Sequence, residues 1–316
     1  MIKKITQKMK SKMSAYVIIF FVIFTYGYYL TRTAPTDFPV NGKFLVQENE
    51  TLKSISMRLE AENIIHSALL FRMWVSVYGK DRKVNAGQYI FSSELSLGAV
   101  VKKMTSTADK PLIQITIPEG STKEEVAHII SNSTQNISEN ALLAEIKKQN
   151  VNGKLFPETY FLIPSQDKED IIKLLLETFI KKYNDYVSKN GKLVKDTRLK
   201  MTDIGYDEKN FDTAVVTLAS VIQGEGKTVN DMKIISGILW KRLLTNMALQ
   251  VDVAKETYTR RGLPGTPINN PGMDAIEAVF NPTQSEYLYY ITGKDGKMYY
   301  AKTFTEHKKN IAKYLR

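Results

Sequence analysis

The sequence predicts an α+β protein in three parts: an N-terminal transmembrane helix, a small α/β module and a larger mixed helical/β domain. Three observations lead there. An uncharged apolar run of 19 residues lies between Lys12 and Arg32. Residues 43–106 read as strand, helix, helix, strand, helix, and beyond them long runs with apolar residues three and four apart alternate with short segments of strict alternation.

The first run, "MSAYVIIFFVIFTYGYYLT", is long enough at about 1.5 Å per residue to approach a hydrocarbon core of roughly 30 Å. Its tyrosines crowd the C-terminal end, where amphipathic rings favour a membrane interface, and five lysines precede it, which favours a cytoplasmic N-terminus. No small-x-small cleavage site follows in "TYGYYLTRTAP". The expected order is therefore a basic cytoplasmic tail at 1–13, a single-pass membrane anchor at 14–31 and a Pro-containing tether at 32–42, with the rest extracytoplasmic.

Charge excludes more than it selects. There are 44 Lys and Arg against 33 Asp and Glu, net +11, but residues 1–32 carry six bases and no acid, which leaves only +5 on the remaining 284. No basic stripe interleaved with aromatics and no finger motif is present, so nucleic acid is not an expected partner. Cysteine is absent, which removes disulfides, thiolate metal sites and a Cys nucleophile. His66, His128 and His307 are scattered and fit no metal motif, so neither a metal nor another cofactor is expected.

Residues 43–110 form the predicted small module: strand "KFLVQ", helices "ETLKSISMRLEAENII" and "SALLFRMWVSVYG", strand "AGQYIFS" and helix "SLGAVVKKMTS". This order resembles a LysM-type module, a fold that holds N-acetylglucosamine polymers; a generic α+β spacer has the same pattern. Residues 111–316 form the larger domain. Ile113, Ile115 and Ile117 alternate as a half-buried strand, and Ser121 or Thr122, followed by Glu124 and Glu125, starts a helix. Helices follow at 138–150, 167–190, 210–226 and 230–246, the last with Asn230 as its expected cap. A hairpin "EYLYYIT-GKDG-KMYYAKT" comes near the end, turning at Asp-Gly.

One carboxylate stands out. In "TLASVIQGEG" (217–226), Ala214, Leu218, Ile222 and Glu225 share a helix face, so Glu225 extends an apolar stripe at the helix end. Desolvation there favours the neutral acid, the state a general acid needs near neutral pH. Gly224 and Gly226 leave room around it and suit a helix end. The alternative is a solvated helix terminus with a glycine cap. Tyr287, Tyr289, Tyr290, Tyr299 and Tyr300 suit stacking on sugar rings, although alternate tyrosines on a hairpin more often pack against one another.

The segments "LFPETYFL", "LASVIQGEG", "ISGILWKRLLTNMALQVD", "GLPGTPINNPGMDAIEAVFNPTQSEYLYYI" and "KTFTEHKKNIAKY" resemble, in that order, the membrane-anchored YceG-like (MltG-type) endolytic lytic transglycosylases. The resemblance places the family's catalytic glutamate on Glu225 and puts Gln223 where the family has a further acid. It also implies Gln250 and Asp252 of "QVD", Glu158 of "FPETY" and Asn270 of "NNPG" as substrate-binding candidates, each of which has a turn-building alternative. The long insert after the family's QTD segment is nearly absent here, and Glu256 and Lys308 replace family asparagines. The implied activity is cleavage of the MurNAc-GlcNAc β-1,4 bond of nascent peptidoglycan with 1,6-anhydroMurNAc ends, which limits strand length. Implied partners are peptidoglycan glycan strands, the membrane through the N-terminal helix, and cell-wall synthases. A scaffold that binds glycan without cutting it, and a lysozyme-like hydrolase using Asp252 or Glu158 as a second acid, are the competing readings.

Overall fold

The computed structural model describes residues 2–78, 84–106, 108–109, 112–134, 136–164 and 166–315, with the backbone alone for 2–15 and 23. The chain divides into two compact units, Met1–Ile113 with Phe161–Pro164, and Gln114–Tyr160 with Ser165–Arg316.

The first unit begins with helix α1 (Ile2–Arg32). Among its described side chains, Tyr16, Phe20, Phe21, Phe24, Tyr26, Tyr28 and Tyr29 are exposed. Among the described residues no helix is long and apolar enough to cross a membrane. The anchor expected at 14–31 therefore rests on the sequence, and it includes side chains that lie outside the described residues. After α1 come β1 (Gly42–Val46), α2 (Leu52–Ala61), α3 (Ala68–Tyr78), β2 (Gly87–Phe91) and α4 (Leu97–Met104). This is the expected strand, helix, helix, strand, helix order.

Strands β1 and β2 pair antiparallel, with Gly42 opposite Phe91 and Val46 opposite Gly87. The alternating residues Phe44 and Val46 of β1, with Tyr89 and Phe91 of β2, point into one core with Ile55, Leu59 and Phe71 of the helices. Thr51 and Ser96 accept backbone N–H groups at the starts of α2 and α4, which satisfies donors that the first turn of a helix leaves free. The buried Tyr89 hydroxyl donates to the carbonyls of Asn85 and Met104.

Along the chain follow β3 (Ile113–Thr116) and β4 (Thr159–Leu162), each with residues in both units, and, in the second unit, α5 (Lys123–Thr134), α6 (Glu139–Gln149), α7 (Lys168–Lys189), α8 (Gly191–Asp203) and α9 (Phe211–Glu225). The second unit continues with α10 (Val229–Leu244), α11 (Met273–Phe280), β5 (Tyr289–Thr292), β6 (Met298–Ala301) and α12 (Phe304–Tyr314). Strand β3 pairs with β4, and β5 with β6 in an antiparallel hairpin that turns through Asp295 and Gly296, the latter at φ +77°. Thr122 rather than Ser121 caps α5, because its side chain and that of Glu125 exchange hydrogen bonds with each other's backbone N–H.

Two expectations change. Helix α10 starts earlier than Asn230: the cap is Thr228, whose Oγ1 accepts from Asp231 N, so Asn230 lies inside the first turn. Helix α8 has no counterpart in the sequence prediction. Its buried residues are Val194, Thr197 and Met201, so a threonine interrupts a thin apolar stripe among charged neighbours, and packing rather than pattern fixes it.

Helix α9 is the axis of this unit. Phe211 and every residue from Ala214 to Ile222 are buried, so α9 has almost no solvent face until its last turn. Helices α10 and α11 pack against it, and Trp240 of α10 donates its indole N–H to Val279 O while Ser236 donates to Ala278 O. These bonds satisfy carbonyls near the end of α11 that would otherwise be buried without partners. Gly237 lies where α10 meets the Thr283 carbonyl, so closely that a Cβ would overlap the oxygen. Gly237→Ala should therefore destabilise the protein by about 1–3 kcal/mol through overpacking, read as a lower midpoint in urea unfolding, whereas Gly191→Ala, whose Cβ would enter open space, should not lower it.

Candidate active site

At its C-terminal end α9 leaves the core, and there Glu225 becomes half-buried. It lines an open cavity of about 490 Å³ together with Arg242 of α10, Gln250, Asp252, Tyr258, Tyr289 and Tyr290 of β5, and His307 of α12. Phe304, Ile311 and Leu315 add an apolar wall. Elements separated by as many as 90 positions in the chain thus meet around one carboxyl group.

The flanking glycines do something other than leave space for substrate. A Cβ on Gly224 would lie 2.8 Å from Val253 Cγ1, and one on Gly226 would meet Met232 Cγ at 2.7 Å and its Cα at 3.1 Å. Both glycines are therefore filled against by protein, and they let the Val253 loop and α10 close onto the end of α9. Gly226 ends the helix in an extended conformation, φ −93°, rather than the left-handed one of a glycine cap.

Gln223 accepts a hydrogen bond from Gly272 N at 2.9 Å. One turn earlier, Ser220 accepts from Ile268 N on its hydroxyl and from Asn269 Nδ2 on its carbonyl. The last turns of α9 are thereby stitched to the 268–272 loop, and Gln223 acts as a neutral acceptor where the resemblance places an acid.

Asp252 supplies the missing charge. Burial pushes the Glu225 carboxyl above its ordinary range, a hydrogen bond from Val253 N at 3.4 Å opposes this, and the negative charge of Asp252 pushes it further up. Asp252 in turn accepts from the Tyr258 hydroxyl at 2.7 Å, and that bond with its carboxylate holds the Tyr258 pKa up to about 12.

The short segment after "QVD" builds this arrangement. Val251 and Ala254 form a β-bridge, and a 3-10 turn, Lys255–Tyr258, follows. Buried Thr257 accepts from Val251 N at 3.0 Å and donates to Ala254 O at 2.6 Å. Gln250 adopts the left-handed conformation at φ +49°, uncommon for a residue with a Cβ, and its N–H donates to Thr257 O. This closed turn brings Asp252 and Tyr258 to the cavity.

Arg242, which the sequence reading did not single out, fixes the other wall. It is buried, donates from Nε to Leu288 O and from Nη1 to the carbonyls of Ala248 and Leu249, and stacks over the Tyr289 ring at 5.1 Å. It ties α10, the loop before Gln250 and the strand carrying Tyr290 together. His307 stacks on Tyr289 at 5.1 Å. Burial and the nearby Arg242 charge both lower the His307 pKa, favouring neutral imidazole.

Two expected substrate contacts are placed elsewhere. Glu158 pairs with Lys182 at 2.9 Å and does not line this cavity. Asn270 is buried, accepting from Leu155 N and donating to Ser121 O, both at 2.9 Å, so its side chain joins backbone segments inside the unit. The tyrosines divide: Tyr289 and Tyr290 face the cavity, while Tyr287 stacks on Tyr300 and Tyr299 on Tyr314.

A carboxyl held above its solution pKa has a consequence for stability. Between the unfolded value, near 4.5, and the higher folded value, the folded chain binds more protons, so stability falls as pH rises through that window and the loss persists above it. Glu225→Gln removes this loss. Its melting temperature should exceed that of the unaltered chain at pH 8 and match it at pH 4, measured by calorimetry in the same detergent.

Comparison with known proteins converges on one family. The chain is 26% identical over 92% of its length, and 90% of the relative's, to a Bacillus subtilis protein named endolytic murein transglycosylase. It is 25% identical to a Streptococcus pneumoniae protein of the same name, spanning 96% of this chain and 66% of that one. A crystal structure of a yceG-like protein from Listeria monocytogenes superposes with a TM-score of 0.51 and 25% identity, covering 85% of this chain and 98% of that chain. The sequence model of the YceG-like family matches residues 44–255 and 256–313, most of the chain, and the chain belongs to the YceG-like family.

Proposed function

We propose that the protein is an endolytic murein transglycosylase in which Glu225 serves first as acid and then as base. The observation that carries this reading is the Glu225 carboxyl itself, which burial and the Asp252 charge favour in its protonated form at the edge of an open cavity.

Protonated Glu225 gives its proton to the glycosidic oxygen between MurNAc and GlcNAc, and the bond from that oxygen to MurNAc C1 breaks. The resulting carboxylate then removes the proton from the C6 hydroxyl of the same MurNAc, whose oxygen closes on C1 to give the 1,6-anhydro sugar. The attacking hydroxyl is tethered, and intramolecular reactions reach effective molarities of about 10⁵ M or more, so no activated water is needed. Asp252, held by Tyr258, offers negative charge to the oxocarbenium-like state, and Gln250 lies on the same wall.

Asp252 also favours a second reading, since two carboxylates in one cavity are the equipment of a glycoside hydrolase. The products decide between them. Full-length protein in detergent is incubated with nascent glycan strands and the ends are identified by mass spectrometry: anhydro ends support the transglycosylase, and reducing ends the hydrolase. Glu225→Gln should lower the rate by at least about 100-fold, and undiminished cutting by that variant would remove Glu225 from the chemistry.

The first unit and α1 belong to the same proposal. The uncharged run at 13–31, with exposed apolar side chains from Tyr16 onward, supports a single-pass anchor with a cytoplasmic N-terminus. The strand, helix, helix, strand order that follows supports a LysM-like role in holding the glycan beside the membrane, and cell-wall synthases are then neighbours on the same surface. In intact protoplasts an external protease should destroy a C-terminal tag and spare an N-terminal one.

A further inference from the structure

The Tyr290 hydroxyl is fully buried and completes no hydrogen bond of full geometry. Buried polar atoms are nearly always paired, so an orphan beside a reactive group calls for an explanation. Tyr290 sits on β5, whose course is fixed by the Arg242 bond to Leu288 O, and its ring enters the cavity that holds Glu225. Its hydroxyl lies beside the Glu225 carboxyl and acts on it as a donor, lowering the carboxyl pKa, although the bond falls short of full hydrogen-bond geometry.

We propose that Tyr290 is a positioning residue whose hydroxyl donates to the Glu225 carboxylate once Glu225 has given up its proton. The proposal rests on the reading of Glu225 as the acid. The hydroxyl is then a donor held at its acceptor: when the carboxylate forms, a buried O–H is already placed to complete the bond. No proton leaves Tyr290 in this step. Burial and the adjacent Glu225 raise the pKa of the phenol well above its usual value, which keeps it a donor.

The charged and titratable groups around this pair are few. Asp252 and Tyr258 approach from the turn after Gln250, Arg242 from α10 and His307 from α12, all lining the same cavity. Tyr258 is occupied with Asp252. Arg242 gives its Nε and Nη1 bonds to carbonyls, and the lowered His307 pKa favours the uncharged imidazole. Among the described groups of the cavity, the Tyr290 hydroxyl is the side-chain donor that acts on the Glu225 carboxyl.

Tyr290→Phe separates this role from a packing role, because it keeps the ring and removes only the oxygen. Full-length protein in detergent micelles is labelled with carboxyl-13C glutamate, and the Glu225 signal, identified by its loss in Glu225→Gln, is titrated. Removing a donor to the charged form should move the Glu225 midpoint to higher pH. The melting temperature should stay level or rise, since an unpaired buried hydroxyl is lost. In the cleavage assay the plateau rate should fall about tenfold with KM unchanged, and the alkaline limb should move upward. An unmoved or lowered midpoint, a drop in melting temperature or a failure to fold would each overturn the proposal, because the hydroxyl would then serve the fold. If the unaltered chain cuts no glycan, the activity reading fails while the titration still decides the role of Tyr290.

Discussion

Everything at the site depends on one constraint: α9 has no solvent face along most of its length, yet it ends on a carboxyl group. Ala214 through Ile222 are fixed by surrounding packing, so the helix cannot turn or slide to offer Glu225 more water. The ten buried positions of α9 include eight apolar side chains, and burial of a Val, Leu or Ile contributes about 1.5–3 kcal/mol each, which is ample to hold one partly desolvated acid at the end. The core that holds the group in place thereby also raises its pKa.

The surrounding structure reinforces that constraint in two ways. Ser220 and Gln223 take up N–H groups of the 268–272 loop, which closes one side of the helix end. Gly224 and Gly226 let Val253 and Met232 close the other. The turn that carries Val253 also carries Asp252, so the packing that shields Glu225 brings a second negative charge to it. Burial and charge act in the same direction, and neither requires an acid at position 223.

Arg242 shows the opposite use of burial. Its guanidinium is spent on three backbone carbonyls from two segments, which sets the distance between the Gln250 turn and β5. A lysine could not hold that fork, since the bonds use the planar arrangement of Nε and Nη1. The cavity is therefore built by one buried cation that joins its walls and shaped by one raised carboxyl between them.

By itself the sequence determined the order of elements in the first unit, the prominence of Glu225 and the family motifs, because these depend on local periodicity and on residues close together in the chain. The alternation in β1 and β2 and the apolar face of α9 were legible for that reason. Helix α8 was not, since Val194, Thr197 and Met201 make too thin a stripe without the core they face. Only the tertiary structure decided which polar residues stand with Glu225. Asp252, Tyr258, Tyr290, Arg242 and His307 come from four separate elements, while Glu158 and Asn270 are taken by Lys182 and by buried backbone. A carboxylate or amide in a motif has the same appearance in sequence whether it points into a cavity or stitches a loop, and the long-range contacts of the fold set that direction.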